Sequence, residues 1–409
     1  MANSNLTSAK KAKNDEFYTQ YSDIEKEINA YLEFDPDVFK NKTILLPCDD
    51  PEWSNFTKYF AQNFQRFGIK KLISTSYAHN SKNQGGEYQP SLFETQDSQF
   101  DENKTANNGK IFTLTADKNK NGVINFEDLE WHYLEGSGDF RSEEIKKLRD
   151  EADIIITNPP FSLFRDFLTW IVEPTSNNIV AVMPSSLLIN VSANGNVGVS
   201  PTKPKKFLII GNMNAITYKE VFPLIKENKL WLGPSITSGD REFEVPKDVV
   251  DMDKFTGEMR EGKYFQRVMG VRWFTNIDHG RRHQPLSLMT MGDNIKFSKH
   301  KEIKGIGYQK YDNYDAIEIP FTDSIPSDYQ GVMGVPISFL DKYSPEQFEI
   351  VGLGIANLGL EAGVQPYKPE HKKYRKEIQK RGAVDGDLYM IKDGLVEVPY
   401  ARILLRFRK

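Results

Sequence analysis

The sequence predicts an α/β fold built on a mostly parallel sheet, followed by a second domain of α+β character. Three observations predict it. Short apolar strands alternate with amphipathic helices through the first half of the chain. The run "DIIIT" is continuously apolar rather than alternating, as a strand covered on both faces requires. The 409-residue length exceeds what one core usually supports, and past Asp278 the strand–helix rhythm gives way to frequent Tyr, Asp, Pro and Gly.

Taken in order, residues 1–13 are polar and expected to fray. Ile24, Ile28, Tyr31 and Leu32 recur at helical spacing and predict a helix over Asp23–Phe34. "KTILLPCDDP" reads as a short strand stopped by its prolines and acids. Phe56, Tyr59, Phe60, Phe64 and Phe67 then fall on one helical face, and Gly68 ends that helix. "KKLISTSY" is a second strand. Residues 78–110, poor in aliphatics and rich in Asn, Gln, Ser and Gly, read as an inserted loop. "IFTLT" and "EWHYLEG" predict two strands around the Asn121-Gly122 turn. Ser142 is placed to cap a helix whose buried face is Ile145, Leu148 and Ala152, and Ile154–Ile156 form the next strand. Further strands are predicted at "NIVAVMP", "KKFLIIG", "KLWLG" and "RVMGVRWFTNI", with a second insertion near residues 191–204. The expected division is residues 1–278 and 279–409.

The net charge of −4 argues mildly against a polyanionic partner, but charge acts locally. Basic residues cluster at Lys10–Lys13, at Lys203–Lys206, at Arg281 and Arg282, and from Lys368 onward; any one such cluster is more often a solvated face than a contact. Cys48 is the single cysteine, so no intramolecular disulfide forms, which fits a reducing interior. No apolar run approaches the roughly 20 residues that span a bilayer, and the first residues carry no apolar core of a secretory signal, so no membrane partner is expected.

The chemistry concentrates at Asn158-Pro159-Pro160-Phe161, directly after the isoleucine strand. In an open parallel sheet, ligands bind at the carboxyl ends of strands. An exocyclic amine on a nucleobase is a poor nucleophile because its lone pair is delocalised. Two acceptors on its hydrogens bias the nitrogen toward a tetrahedral shape. The Asn158 side-chain carbonyl supplies one acceptor, and the Pro159 backbone carbonyl, held by a ring of fixed φ, supplies the other. Phe161 offers a face for a base to stack on, worth about 1–3 kcal/mol. The bland reading is a stiff turn with a core Phe, and the position after a buried strand argues against it.

Three other signals carry less. "DKNKNGVINFED" fits a calcium loop at Asp117, Asn119, Asn121, Gly122, Ile124 and Asp128, but a strand precedes it where a helix is needed, and a hairpin turn is expected. Cys48 follows the first strand, too early for a cytosine-attacking thiolate, so a small buried Cys is expected. His279 and His283 flank Arg281 and Arg282 in what reads as a surface loop, and the six histidines show no zinc spacing; no metal is expected.

The chain resembles the adenine-N6 DNA methyltransferases, which carry Asp/Asn-Pro-Pro-Tyr/Phe after a central strand. More narrowly, "NDEFYTQYSDIE", "CDDPEWSNFTKYF", "GDFRS", "TNPPFSLFRDFL", "NAITYKEVFPLIKENKLWLG", "KYDNYDAI" and "GVMGVPISFL" resemble, in that order, the EcoRI-type modification methyltransferases from Asp15 to Leu340. The resemblance implies a Rossmann-like methyltransferase domain that uses S-adenosyl-L-methionine, with a C-terminal target-recognition domain. It matches Phe17, Tyr18 and Thr19 to a cofactor motif, and Asp49, Asp50 and Pro51 to the cofactor's methionine end. Asp139 is matched to a position near an adenine amino group, with Phe140 flanking that ring. Asn158, Pro159, Pro160 and Phe161 match the catalytic motif. Two departures stand out: "CDDPEWSNF" replaces the usual glycine-rich loop, and the usual ribose-binding acid after "KKLISTSY" is missing. The expected substrate is adenine rotated out of double-stranded DNA. The resemblance also implies a monomer on DNA in a bacterial or phage cytoplasm and, where the system includes one, a cognate restriction endonuclease. Two alternatives stay open: amino-group methylation of RNA or protein glutamine by the same motif, and a non-catalytic DNA-binding homologue.

Overall fold

The computed structural model describes residues 19–51, 54–78, 97–172, 190–191, 197–198, 205–236, 242–245, 257–267 and 269–408. The chain divides into two compact units, residues 1–212 with 235–277, and residues 213–234 with 278–409. The sequence expectation put residues 213–234 with the first unit; here they group with the second.

The first unit is built on one large sheet and also carries a small antiparallel sheet in which Lys263–Arg267 pairs with Glu242–Val245 and with Glu258–Arg260. The strands of the large sheet are β1 (Thr43–Leu46), β2 (Lys71–Ser76), β3 (Lys110–Leu114), β4 (Glu130–Tyr133), β5 (Ile154–Thr157), β6 (Lys206–Asn212) and β7 (Val271–Thr275), in the order β4-β3-β2-β1-β5-β6-β7. The centre is parallel: β1 pairs with β2 and β5, and β5 with β6. Antiparallel strands flank it, β3 and β4 on one side and β7 on the other. Every residue of β1 and of β5 is buried, which explains their unbroken apolar sequences.

The helices are α1 (Tyr21–Phe34), α2 (Asn55–Gln62), α3 (Glu143–Glu151) and α4 (Phe164–Val172). Ile24, Ile28 and Tyr31 of α1 enter the same core cluster as Phe56, Tyr59 and Phe60 of α2. The aromatic helix expected to run to Gly68 breaks at Asn63, whose side chain donates to the Tyr59 carbonyl at 2.9 Å; a short turn, Phe64–Phe67, follows and ends at Gly68 with φ +61°. Ser142 caps α3 by accepting from the Ile145 N–H at 3.3 Å. Arg149, not Leu148, lies on the buried side of α3. Its guanidinium donates to the Trp170 carbonyl at 2.8 Å and lies 5.4 Å from the Trp170 ring centroid, so the buried charge is partnered.

The Asn121-Gly122 segment joins an antiparallel pair, with Thr113 opposite Glu130. Its acids are engaged by backbone: Asp117 accepts from the Asn121 and Gly122 N–H groups, and Asp128 from those of Lys118, Asn119 and Asn125. Within the first expected insertion, Asp101 caps a helix over Glu102–Asn107 by accepting from Asn103 and Lys104. The strand expected at "NIVAVMP" lies outside the described residues, as does most of the second insertion, where Asn190–Val191 pairs with Val197–Gly198.

The second unit carries a four-stranded sheet, in the order β8 (Ala316–Glu318), β9 (Val332–Pro336), β11 (Arg402–Phe407) and β10 (Phe348–Gly354). Only β8 and β9 are parallel. A buried ion pair joins β8 to β11: Arg402 reaches both Glu318 oxygens at 2.6–3.1 Å, and the Tyr311 hydroxyl donates to the same carboxylate. The histidine loop is not a plain surface loop. His279 and Arg282 are buried and joined at 3.2 Å, Arg282 lies 4.8 Å from the Trp231 ring centroid, and His283 sits between Asp278 and Glu346. Helix α5 (Met291–Phe297) completes the elements used below. Among the described residues no helix is long and apolar enough to cross a membrane.

Candidate active site

The site forms where β1 and β5 end. Thr157 closes β5, and its hydroxyl donates to the Pro47 carbonyl, just past β1, at 2.6 Å. This bond holds the two strand ends side by side. Asn158, Pro159, Pro160 and Phe161 leave directly from that point.

The double proline stiffens the exit. The Pro160 carbonyl accepts from the Leu163 N–H at 2.8 Å and starts a short 3₁₀ turn, Phe161–Leu163, that runs into α4. Among the described residues none donates to the Pro159 carbonyl. The Asn158 side-chain oxygen is buried. Phe161 is 6 % exposed and packs into the core cluster, so its ring is held from behind rather than standing free.

On the β1 side, Asp49 is 5 % exposed and its loop is fixed by three hydroxyls. Ser54 donates to Asp49 Oδ1 at 2.8 Å, while Thr57, at 2.7 Å, and Ser74 donate to the Asp49 backbone carbonyl. Ser54 also caps α2, accepting from the Phe56 N–H at 3.1 Å. The missing glycine-rich loop thus has a substitute. Cys48 takes the left-handed turn, φ +65°, that a glycine usually occupies, and its N–H donates to Thr75 Oγ1 at 3.2 Å. Cys48 is half-buried rather than sealed in the core. Pro51 is buried and Asp50 partly so; the Asp50 carbonyl accepts from the Ser54 N–H at 2.7 Å.

The segment Gly136–Phe140 packs against the end of β2. The Ala78 N–H donates to the Ser137 carbonyl at 2.7 Å. Gly138 has φ +83°, and a Cβ there would fall 2.3 Å from the Ser76 carbonyl oxygen. Asp139 is gripped by its neighbour: Arg141 Nε reaches Oδ1 and Nη2 reaches Oδ2, each at 3.0 Å, and the Tyr77 hydroxyl donates to Oδ2 at 3.4 Å. Burial pushes the Asp139 carboxyl up, but the bonds and charge of Arg141 outweigh this and hold it below the ordinary carboxylate value. Phe140 is 2 % exposed and stacks on Phe167 of α4, with centroids 3.9 Å apart. Arg141 also lies over the Phe140 ring, 5.0 Å from the centroid.

Of the residues singled out in the sequence, Asp49, Asp50 and Pro51 share the end of β1, and Asn158–Phe161 share the adjoining end of β5. Asp139 and Phe140 lie past the end of β2 by way of Gly138. Thr19 lies at the start of α1, its carbonyl accepting from Asn55 Nδ2 at 2.8 Å. Phe17 and Tyr18 lie outside the described residues. The sequence reading missed Ser54, Thr57, Ser74, Thr75 and Thr157, the hydroxyls that fix the strand ends. Their signal was present: each stands at the end of an apolar strand or the start of the helix after it, where unpaired backbone groups need partners.

The donor set suits a sulfonium nucleoside bearing an amino acid end. The Asp49 carboxylate, held by Ser54, suits an ammonium group, with Asp50 next to it in sequence, and the oxygens of Asn158 and Pro159 stand at the neighbouring strand end. The mixed α/β fold with its large, mostly parallel central sheet fits a Rossmann-like methyltransferase. A family model described as "Adenine-specific methyltransferase EcoRI" matches residues 5–187 and 200–408, and the chain belongs to that family. It is 39 % identical to the Type II methyltransferase M.EcoRI of Escherichia coli, over 85 % of this chain and 88 % of that protein. It is 31 % identical to the Type II methyltransferase M.MpnI of Mycoplasma pneumoniae, over 84 % of this chain and 83 % of that one. A third relative, the Type II methyltransferase M.MgeORF184P of Mycoplasma genitalium, is 32 % identical over 84 % of each chain. No solved structure matches.

Proposed function

We propose that this chain is a site-specific DNA adenine-N6 methyltransferase that uses S-adenosyl-L-methionine, acting on an adenine rotated out of double-stranded DNA. The observation that carries this reading is Asn158 at the tip of β5, next to a Pro159 carbonyl to which no described residue donates, on a strand end tied to β1 by Thr157. When bound, the cofactor supplies a methyl group on a positively charged sulfur, electrophilic enough that no base need first ionise the amine. Asn158 Oδ1 and the Pro159 carbonyl accept from the two N6 hydrogens and orient the nitrogen lone pair. Pro160 stiffens the turn, and Phe161 forms the floor on which the base stacks. Asp139, ionised and steadied by Arg141, marks the β2 side of the site, with Phe140 anchoring its segment to α4. Asp49, Asp50 and Pro51 hold the amino acid end of the cofactor, and Phe17, Tyr18 and Thr19 complete its enclosure.

In this reading the first unit carries cofactor binding and transfer, and the second recognises the DNA site. The enzyme acts as a monomer, in the cytoplasm of its host, alone or beside a cognate endonuclease. The test is to incubate the full chain with methyl-labelled cofactor and, separately, duplex DNA, RNA and protein. Label recovered as N6-methyladenine in DNA at a fixed sequence is the expected result. Label in RNA or protein with none in DNA, or no cofactor binding at all, overturns it.

A further inference from the structure

The strongest unassigned feature lies in the second unit, from α5 to the turn that follows it. Residues 296–310 read "KFSKHKEIKGIGYQK", with five lysines and one acid in a chain whose net charge is −4. Two large apolar side chains on this stretch face water: Phe297 is 59 % exposed and Ile306 is 70 % exposed.

Exposure here is not a sign of a loose loop. Asn294, Ser298 and Ile303 are buried and anchor the stretch from below. Thr290 caps α5 by accepting from the Asp293 N–H at 3.1 Å. The Gly305 N–H donates back to the Ile295 carbonyl at 2.8 Å, and the Ile306 and Gly307 N–H groups both donate to Ile303, at 3.0 and 2.9 Å. His300 stacks on Phe321 with centroids 3.7 Å apart and bonds Asp323 at 2.7 Å. The platform is therefore fixed while the apolar side chains it carries remain outside the core, at a cost in hydration that folding does not recover.

The lysines are not equivalent. Lys299 is paired with Asp323 at 2.8 Å, Lys310 stands 4.0 Å from Asp315, and Lys296 lies 4.9 Å from the Phe297 ring centroid. Lys301 and Lys304 are exposed, and among the described residues no acid pairs with either. Uncompensated cations beside protruding Phe and Ile side chains suit a polyanion with apolar rings between its charges. A duplex offers both: phosphates along its edge, and base faces that apolar side chains reach when a step is unstacked.

We propose that residues 296–306 form a DNA-docking surface, in which Lys301 and Lys304 neutralise backbone phosphates and Phe297 and Ile306 press into an opened base step. This rests on the reading of the chain as a DNA methyltransferase and names a part of the second unit that meets the substrate.

The experiment measures duplex affinity of the full chain against salt concentration, for wild type, Lys301→Gln/Lys304→Gln, Phe297→Ala, and a control, Lys26→Gln/Lys147→Gln, altering two exposed lysines elsewhere. At about 0.9 per phosphate contact, loss of two contacts makes the log–log salt slope shallower by about 1.8. The control keeps the wild-type slope. Phe297→Ala weakens binding at every salt concentration and leaves the slope unchanged. An unchanged slope in Lys301→Gln/Lys304→Gln, or the same loss in the control, overturns the charged contact, and unaltered affinity in Phe297→Ala overturns the apolar one. Failure of the wild-type chain to methylate DNA rejects the underlying reading instead, so the two failures are distinct.

Discussion

The Thr157 hydroxyl donates to the Pro47 carbonyl across 2.6 Å, joining the ends of two parallel strands 110 residues apart in sequence. Both groups are buried. Thr157→Val keeps the side-chain shape, removes the donor, and leaves that carbonyl without this partner. A buried group so deprived costs about 1–3 kcal/mol. Thr157→Ser retains the hydroxyl and is expected to recover most of the loss. Chemical denaturation reads the stability, and methyl transfer reads the site. If the bond positions Asn158, Thr157→Val also lowers turnover in proteins that remain folded under assay conditions.

Asn158→Ala tests the acceptor itself. Removing a single preorganised hydrogen-bonding group from a reacting centre typically costs about 10²–10³ in kcat. We expect a loss of that order with cofactor affinity largely kept, since the cofactor residues sit on other segments. Isothermal titration with the cofactor and single-turnover transfer separate the two quantities. Near-normal turnover would remove Asn158 from the reaction.

Gly138→Ala addresses the segment that presents Asp139. The added Cβ meets the Ser76 carbonyl oxygen at 2.3 Å, and φ is +83°. Backbone strain of this kind costs about 1–3 kcal/mol, and the clash adds to it. Gly122→Ala is the matched comparison: φ is +86°, but nothing lies within 4 Å of its Cβ. We expect Gly122→Ala to lower stability modestly without touching transfer, and Gly138→Ala to lower both. Equal losses in the two variants would show that conformation alone, not close approach, fixes the glycine.

Much of this was legible in the sequence for identifiable reasons. The runs at Ile44–Leu46 and Ile154–Ile156 announce buried parallel strands because nothing else tolerates unbroken apolar sequence there. Asn158-Pro159-Pro160 declares a stiff turn at a strand end because two prolines permit little else. What was not legible depends on contacts between distant segments. Arg149 reads as a solvent-facing helix residue until the Trp170 carbonyl supplies its partner. Phe161 reads as an open platform, whereas the core cluster packs behind it. Phe140 reads as free to flank a ligand, yet it stacks on Phe167. The positive φ at Cys48 has no signature, since cysteine rarely takes it.

The pairing of Asp139 with Arg141 makes a prediction about pH. Burial raises the Asp139 carboxyl from its usual 3.8, and the Arg141 bonds and charge lower it, with a net depression. A carboxyl whose folded pKa lies below its unfolded value adds stability that is fully present above the unfolded value and lost as pH falls through the folded one. Arg141→Gln removes both side-chain contacts at 3.0 Å and the charge, and leaves the burial, the residue-141 N–H bond and the Tyr77 hydroxyl, so the depression shrinks. The gap in Tm between wild type and Arg141→Gln is therefore expected to be widest well above the ordinary carboxyl value of 3.8 and to narrow as pH falls below it. The Asp139 and Arg141 side chains are 27 % and 58 % exposed, so solvent screens the pair and the gap is small. It narrows further in 1 M salt, where the Debye length falls to about 3 Å. Thermal melts across that pH range, at low and high salt, are the measurement. A gap that is constant with pH would mean that Arg141 supports the segment through its packing over Phe140 rather than through its charge.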